Sequence, residues 1–452
     1  MQLVHFHSPK SNWQRWMPVI GGFLVHMTLG TMHCFGNLTI YMTSYLREEG
    51  GEDLRYKDTI WIYAASIVSQ GLFGTIGGQM EGWMGPRLAT LVGGWLMSAG
   101  VALSYYTAHS FIGLILTYGV LCGIGCGLCY PVPLACALKW QPDRKGLVSG
   151  IIFVGRGMAV FLFQPLQMWW VNPWDETPDF APDESKPTER YYTAPDVLDR
   201  VPTLFLALGG TFAAIQLLGA LMLSNPPDED RDEPRKFLSE QTSGIGLSMD
   251  LQLSTGQLLC SFAFWLLWLM MFFNWQAVAF SQVFWKVLGF QDVDNVMDSR
   301  LTILGSVAWF LNTVGRVFWG TLGDRCGFKC AMSLMCLLMS VFIGTITLAA
   351  ELGGFWAYAV WMCVIFMAHG GAFAIFPAVT ADTFGKKNFG PAFGLLFTAR
   401  AVASIVHALG AQYLIDTSGV HGMAEVVAAC TFVSLLLALV FKPSYYRRPA
   451  AF

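Results

Sequence analysis

Charge is what this 452-residue chain has least of. Lys, Arg, Asp and Glu together make up 13% of it, about half the share found in an average soluble domain. A soluble protein of this length would have to clothe two or three domains in polar surface, and 27 Lys and Arg with 30 Asp and Glu cannot do that. The same scarcity excludes a disordered protein, a coiled coil and a nucleic-acid binder, and the net charge of -3 adds nothing about partners. A G-x-x-x-x-G-K-[ST] loop is missing, which argues against an ATP-driven pump. Neither an H-E-x-x-H motif nor a Ser/His/Asp constellation is present, so the sequence does not read as an enzyme. The 11 cysteines are an odd count, and Cys122, Cys126, Cys129 and Cys136 lie in apolar runs. They read as small buried hydrophobes rather than a disulfide scaffold or a metal site. No cofactor is expected.

Long apolar runs are abundant. Hydrophobic residues reach 54%, with 17 Trp and 34 Phe, and a bilayer core takes about 20 apolar residues per helix. Twelve runs qualify, at about 17–43, 58–80, 88–108, 110–136, 147–171, 203–224, 256–283, 301–322, 328–350, 354–379, 391–415 and 423–441. The first is too long for a signal-peptide core and follows a polar stretch with Lys10 and Arg15. The expected fold is an all-α membrane protein of two six-helix bundles, 1–224 and 256–442. A charged, turn-rich linker at 225–255 joins them, and a tail follows at 443–452. Sixteen Lys and Arg fall on the side of the termini and eight on the other side. The positive-inside rule then puts both termini in the cytoplasm. A plasma membrane is the expected location, an organelle membrane the alternative.

Three cations remain: Arg156, Arg316 and Arg400, each well inside a span. The Asp and Glu all fall in loops or at span ends, so no internal carboxylate is available to them. A charge at the bilayer centre costs at least about 3 kcal/mol, and arginine cannot shed its proton to escape. The reading is a water-filled cavity whose guests are anions. The competing structural reading has the arginines bonded to carbonyls at helix ends or snorkelling.

The two halves repeat. Gly146-Leu-Val-Ser-Gly150-Ile-Ile-Phe153-Val-Gly-Arg156-Gly-Met-Ala159 aligns with Gly390-Pro-Ala-Phe-Gly394-Leu-Leu-Phe397-Thr-Ala-Arg400-Ala-Val-Ala403, and Tyr130-Pro131 with Phe376-Pro377. Arg156 and Arg400 are therefore expected to face each other as two-fold mates. A second repeat follows spans 2 and 8. Gly320-Thr-Leu-Gly-Asp324-Arg325-Cys-Gly327-Phe-Lys329 fits the G-x-x-x-D-R-x-G-x-[RK] loop of the major facilitator superfamily. Asp324, Arg325, Gly320 and Gly327 are the candidate conformational latch. The first-half copy puts Gly82 at the Asp position, with Glu81 and Arg87 nearby.

From Tyr118 through Tyr130-Pro131 to Gly150, and from Phe376-Pro377 to Asn388, the chain resembles the oxalate/formate antiporter family, in the branch that also holds the monocarboxylate transporters. That resemblance implies a twelve-helix secondary transporter in which basic residues on helices 8 and 11 bind carboxylates. Arg316 and Arg400 match those positions, and Tyr130 matches a tyrosine of the aromatic cavity. His26 and His33 stand where helix 1 commonly carries Tyr. Asn312 replaces the Asp that monocarboxylate transporters place one turn before the helix 8 arginine.

The expected function is alternating-access transport of a small carboxylate such as oxalate, formate, pyruvate or lactate, by antiport or proton symport. The substrate contacts are Arg316, Arg400, Arg156, Tyr130, His33, Asn312 and Trp275, the last from Asn274-Trp275-Gln276. His33, His26 and His407 are the candidate proton carriers. The expected partners are a small carboxylate, the lipid bilayer and optionally a proton, with no nucleic acid and no obligatory protein partner. The alternatives are an inorganic-anion carrier for nitrate or nitrite, which Gly74 disfavours because a cation is expected there, and a non-transporting carboxylate sensor.

Overall fold

The structure is a computed structural model, and it describes residues 12–51, 53–141, 144–182, 189–226, 255–384 and 389–442. Most of the 225–255 linker, the 443–452 tail, residues 183–188 of the long loop and Lys386, Lys387 and Asn388 lie outside the described residues. Among the described residues, nine helical stretches are long and apolar enough to cross a membrane, with a shorter one at Phe328–Gly344. Three glycines with positive φ, Gly85 (79°), Gly354 (58°) and Gly419 (70°), turn the chain between consecutive spans. Glycine adopts this region without a Cβ penalty.

Counted this way, the described residues form twelve long helices. They are α1 (Trp13–Glu48), α2 (56–84), α3 (86–107), α4 (Phe111–Trp140), α5 (Lys145–Val171), α6 (Arg200–Leu221), α7 (Phe262–Asp292), α8 (Asp298–Cys326), α9 (328–353), α10 (355–384), α11 (389–418) and α12 (420–440). The protein is thus an integral, multi-pass membrane protein with two six-helix bundles. Its outward faces carry apolar residues such as Leu116, Leu206, Val317 and Leu409, exposed to what would be lipid. Apolar residues also fill the interior, as a helix buried on all sides requires. We call the end where α1 begins and α12 stops the base, and the opposite end the crown.

Most helix ends fall within a few residues of the sequence expectation; α7 does not. Expected at 256–283, it runs to Asp292. Lys286, which the sequence places in a loop, lies inside the helix, fully buried and ion-paired with Asp298 at the start of α8, also fully buried. Two expectations are corrected here: a fourth cation is buried, and a buried carboxylate exists to receive it. A hydropathy window penalises Lys286 on its own, but burial of the pair is tolerable because each charge offsets the other and both are hydrogen-bonded.

One local feature positions the centre. Helix α1 tightens into a 3₁₀ turn at Gly30–Cys34, as helices do at functional bends. A Cβ on Gly30 would collide with the Arg156 carbonyl and the Ala159 side chain. Glycine there lets α1 lie directly on α5, next to Arg156.

Candidate functional site

A cavity of about 280 Å³ lies between the bundles, on the base side of the middle. Helix α2 contributes Gln70 and Gly74, α4 Tyr130, α5 Arg156, and α11 Phe397 and Arg400. The repeat mates Arg156 and Arg400 thus face one space from different bundles. No Asp or Glu is among its lining residues, and Gly74 sits in the wall without a cation.

Each guanidinium is held by aromatic and polar neighbours rather than by a carboxylate. The Arg400 Cζ lies 4.0 Å from the Trp275 ring centre, 4.5 Å from Phe397 and 6.0 Å from Phe373. That cage fixes the guanidinium plane by cation–π attraction, while its Nε has no hydrogen-bond partner among the described residues. Arg156 stands 5.2 Å from the Tyr130 ring and donates its Nε–H to His33 Nε2 at 2.9 Å. Arg316 lies 4.6 Å over Phe373 and donates to Asn312 Oδ1 at 3.2 Å. Phe373 therefore carries one arginine on a ring that also neighbours the other, and Arg316 stands behind this ring rather than among the cavity-lining residues.

The expectation that these cations lack protein partners is corrected: His33 receives Arg156 and Asn312 receives Arg316. Both partners are neutral, so the positive charge itself stays uncompensated. With Arg156 donating to it, Nε2 is the accepting nitrogen of His33, and the other ring nitrogen is Nδ1. That nitrogen meets the Gln282 side-chain amide on α7, which also bonds Tyr63. A polar thread thus runs from the cavity wall through His33 into the other bundle.

The remaining sequence candidates separate. Trp275 packs on Arg400, while Asn312 bonds the Phe366 carbonyl at 3.0 Å as well as Arg316. His407 Nδ1 meets Gln276 Oε1 at 3.2 Å, in the wall between α7 and α11. His26 packs against Tyr130 and Phe153, with ring centres 5.1 and 5.6 Å away. At the base, Asp324 and Arg325 are exposed at the end of α8, and Gly327 takes φ 83° to start α9. Gly320 is half-buried there, facing Ala374. Glu81 pairs with Lys139 on α4, and Arg87 donates to the Leu223 carbonyl at 2.6 Å. The first-half latch residues thus bind other helices and not each other.

The sequence reading missed His369, Phe373 and Phe397. Phe397 was legible as the repeat mate of Phe153. His369, buried against Trp309, Phe366 and Phe373, gave no signal beyond one His in an apolar run.

Twelve helices in two bundles around a cationic central cavity define a secondary transporter. The chain belongs to the Major Facilitator Superfamily, whose family model matches residues 19–408 and 298–451. It is 30% identical to apicoplast pyruvate carrier 1 of Toxoplasma gondii, over 94% of this chain and 88% of that one. It is 24% identical to the oxalate:formate antiporter of Oxalobacter formigenes, over 81% and 78%. Among solved structures, the partially occluded, inward-open xylose transporter XylE from E. coli superposes with a TM-score of 0.68 at 12% identity, over 95% of this chain and 98% of that one.

Proposed function

We propose that this transporter carries small carboxylate anions across its membrane, with Arg156 and Arg400 as the paired anchors. The observation that carries this is the cavity itself: two arginines from opposite bundles face about 280 Å³ whose lining residues include no carboxylate. That volume equals about nine water molecules, ample for a two- to four-carbon acid. The caged guanidinium of Arg400 suits bidentate carboxylate binding, and Tyr130 and Phe397 would meet the cargo's carbon end. Arg316, behind Phe373, adds positive field. The names of the relatives, a pyruvate carrier and an oxalate:formate antiporter, support a mono- or dicarboxylate.

The cycle follows from charge. An empty cavity with two facing cations resists closure, and a bound anion removes that resistance. The bundles, 1–224 and 256–442, then rock about the bound cargo while the 225–255 linker joins them. Exchange of one anion for another is the mode this favours. For symport the residue is His33: a proton taken at its Nε2 would break the bond from Arg156 and travel with the anion whose charge it balances. With Lys286 taken out of the loops, the 16-to-7 distribution of Lys and Arg supports cytoplasmic termini, so the cavity on the base side faces the cytoplasm. In proteoliposomes loaded with one carboxylate, labelled pyruvate, lactate, formate, oxalate and succinate should be taken up by counterflow, each to a different degree. Absence of counterflow with all five would refute the proposal.

A further inference from the structure

The ion pair of Lys286 and Asp298 takes no part in the cavity. It lies toward the crown, fully buried, and both its members belong to the last six helices. Everything else that satisfies it across the seam comes from the first six. Tyr41 on α1 donates its hydroxyl to Asp298, and Asn172, just past α5, donates to the same carboxylate at 2.9 Å. Lys286 donates to Asn37 Oδ1 on α1 at 2.6 Å, and to Thr302 on α8 at 3.2 Å. One residue beyond Asp298, the Ser299 N–H in the first turn of α8 donates to the Asp175 carboxylate at 2.7 Å. Asp175 holds φ at 58°, a strained conformation for a non-glycine residue. The start of α8 is thus gripped from the opposite bundle. A separate crown contact, Lys57 of α2 with Asp416 of α11, lies on the other side of the seam.

We propose that Lys286 and Asp298 form a charge-neutral clasp that holds the crown shut, and that its dry, closed form sets how long the cavity stays open at the base. The proposal rests on the alternating-access reading above. Its design differs from an ion pair shared between bundles. The two charges stay together on one bundle, so parting the clasp breaks the hydrogen bonds to Asn37, Tyr41 and Asn172 and the cap on Ser299 but leaves the ion pair whole. Water that then enters solvates the pair. The clasp is therefore stable while dry yet inexpensive to open, and no charge is stranded in either state.

The perturbations have opposite signs. Removing one charge leaves the other buried and unpaired, which penalises only the closed crown. Removing both with apolar groups gives a dry seal that no longer gains from hydration. Hydrogen exchange read by mass spectrometry on the full-length protein in nanodiscs measures this at 35–48, 172–182 and 298–306, without reference to any cargo. D298N and K286M should each raise exchange in these segments by about tenfold or more, a modest share of the effect of an uncompensated buried charge. K286L/D298L should restore protection to at least the wild-type level while slowing carboxylate exchange in proteoliposomes. Exchange within twofold of wild type in both single variants, or a double variant as exposed as the singles, overturns the clasp. If either single variant does not fold, Y41F carries the test, since it removes one bond across the seam and leaves the ion pair intact. Raised crown exchange then supports the clasp, and unchanged exchange overturns it. A wild-type protein with a protected crown but no carboxylate counterflow would refute the cargo assignment and leave the clasp standing.

Discussion

Arg400→Gln is the sharpest test of the cavity. The side chain is nearly buried, with its guanidinium fixed between Trp275 at 4.0 Å and Phe397 at 4.5 Å. Glutamine keeps most of the volume and removes the charge and the two-pronged donor. A charge-assisted hydrogen bond is worth about 1.5–3 kcal/mol, so losing a bidentate pair costs roughly 3 kcal/mol or more. That corresponds to a rise of about 150-fold in half-saturation. Lysine at the same position retains the charge and loses the planar fork, so R400K should fall between, near tenfold, which is the cost of about one such bond. Folding should not suffer. R400Q removes one of two like charges facing the same cavity, so its melting temperature should equal or exceed that of the wild type. The assay is initial-rate counterflow of a labelled carboxylate over a concentration series, with melting curves taken with and without the acid. Wild type should gain stability with ligand, by about 2.7 kcal/mol at a hundred times Kd, and R400Q only about 0.3 kcal/mol at the same concentration. A half-saturation for R400Q within threefold of wild type would refute Arg400 as an anchor.

Four further outcomes follow from the same geometry. Trp275→Leu keeps an apolar though smaller side chain and removes the best cation–π face, worth about 1 kcal/mol, so half-saturation should rise about fivefold with little loss of maximal rate. Gly30→Ala drives a methyl into the Arg156 carbonyl and the Ala159 side chain; overpacking of this kind costs about 1–3 kcal/mol, visible as a lowered melting temperature and weaker anion binding. His33→Gln keeps an acceptor for Arg156, so counterflow should continue with half-saturation little changed, and loss of counterflow would mean that the imidazole itself is required. Glu81→Gln breaks a pair with a partly exposed Lys139, worth at most about 1 kcal/mol, and should leave half-saturation unchanged, which separates the base contacts from the cargo site.

The repeat was the most readable part of the site, because it requires only that two segments of one chain look alike. Arg156 and Arg400 were found that way, and both line the cavity. The twelve spans were readable for a simple reason: lipid demands apolar length, and length is a linear property. What the sequence could not supply were relations across the fold. Lys286 looked like a loop charge because its carboxylate lies twelve residues on and on another helix. Arg316 was expected at the cargo, and the structure sets it over Phe373 and outside the lining residues of the cavity, a distinction that composition does not carry. Asn312 and Trp275 were expected as substrate contacts, and the structure sets each against an arginine. The acceptor role of His33 needed the turn at Gly30, whose only trace in the sequence is one glycine among 47.

The fixed positive charge of the cavity also has an electrical meaning. Because the arginines cannot release their protons, the site returns with the same charge it set out with, whatever the surrounding pH. Over a full turn the protein moves no net charge of its own. In the exchange mode proposed above, only the difference between the anion carried one way and the anion carried back crosses the membrane. If the two carry equal charge, the swap is silent to voltage. If one is a monoanion and the other a dianion, each turn shifts one elementary charge, worth about 2.3 kcal/mol per 100 mV. The membrane potential then acts as a sorting force on cargo of unequal valence, and a voltage clamp could read the protein's choice of partner anions as a current.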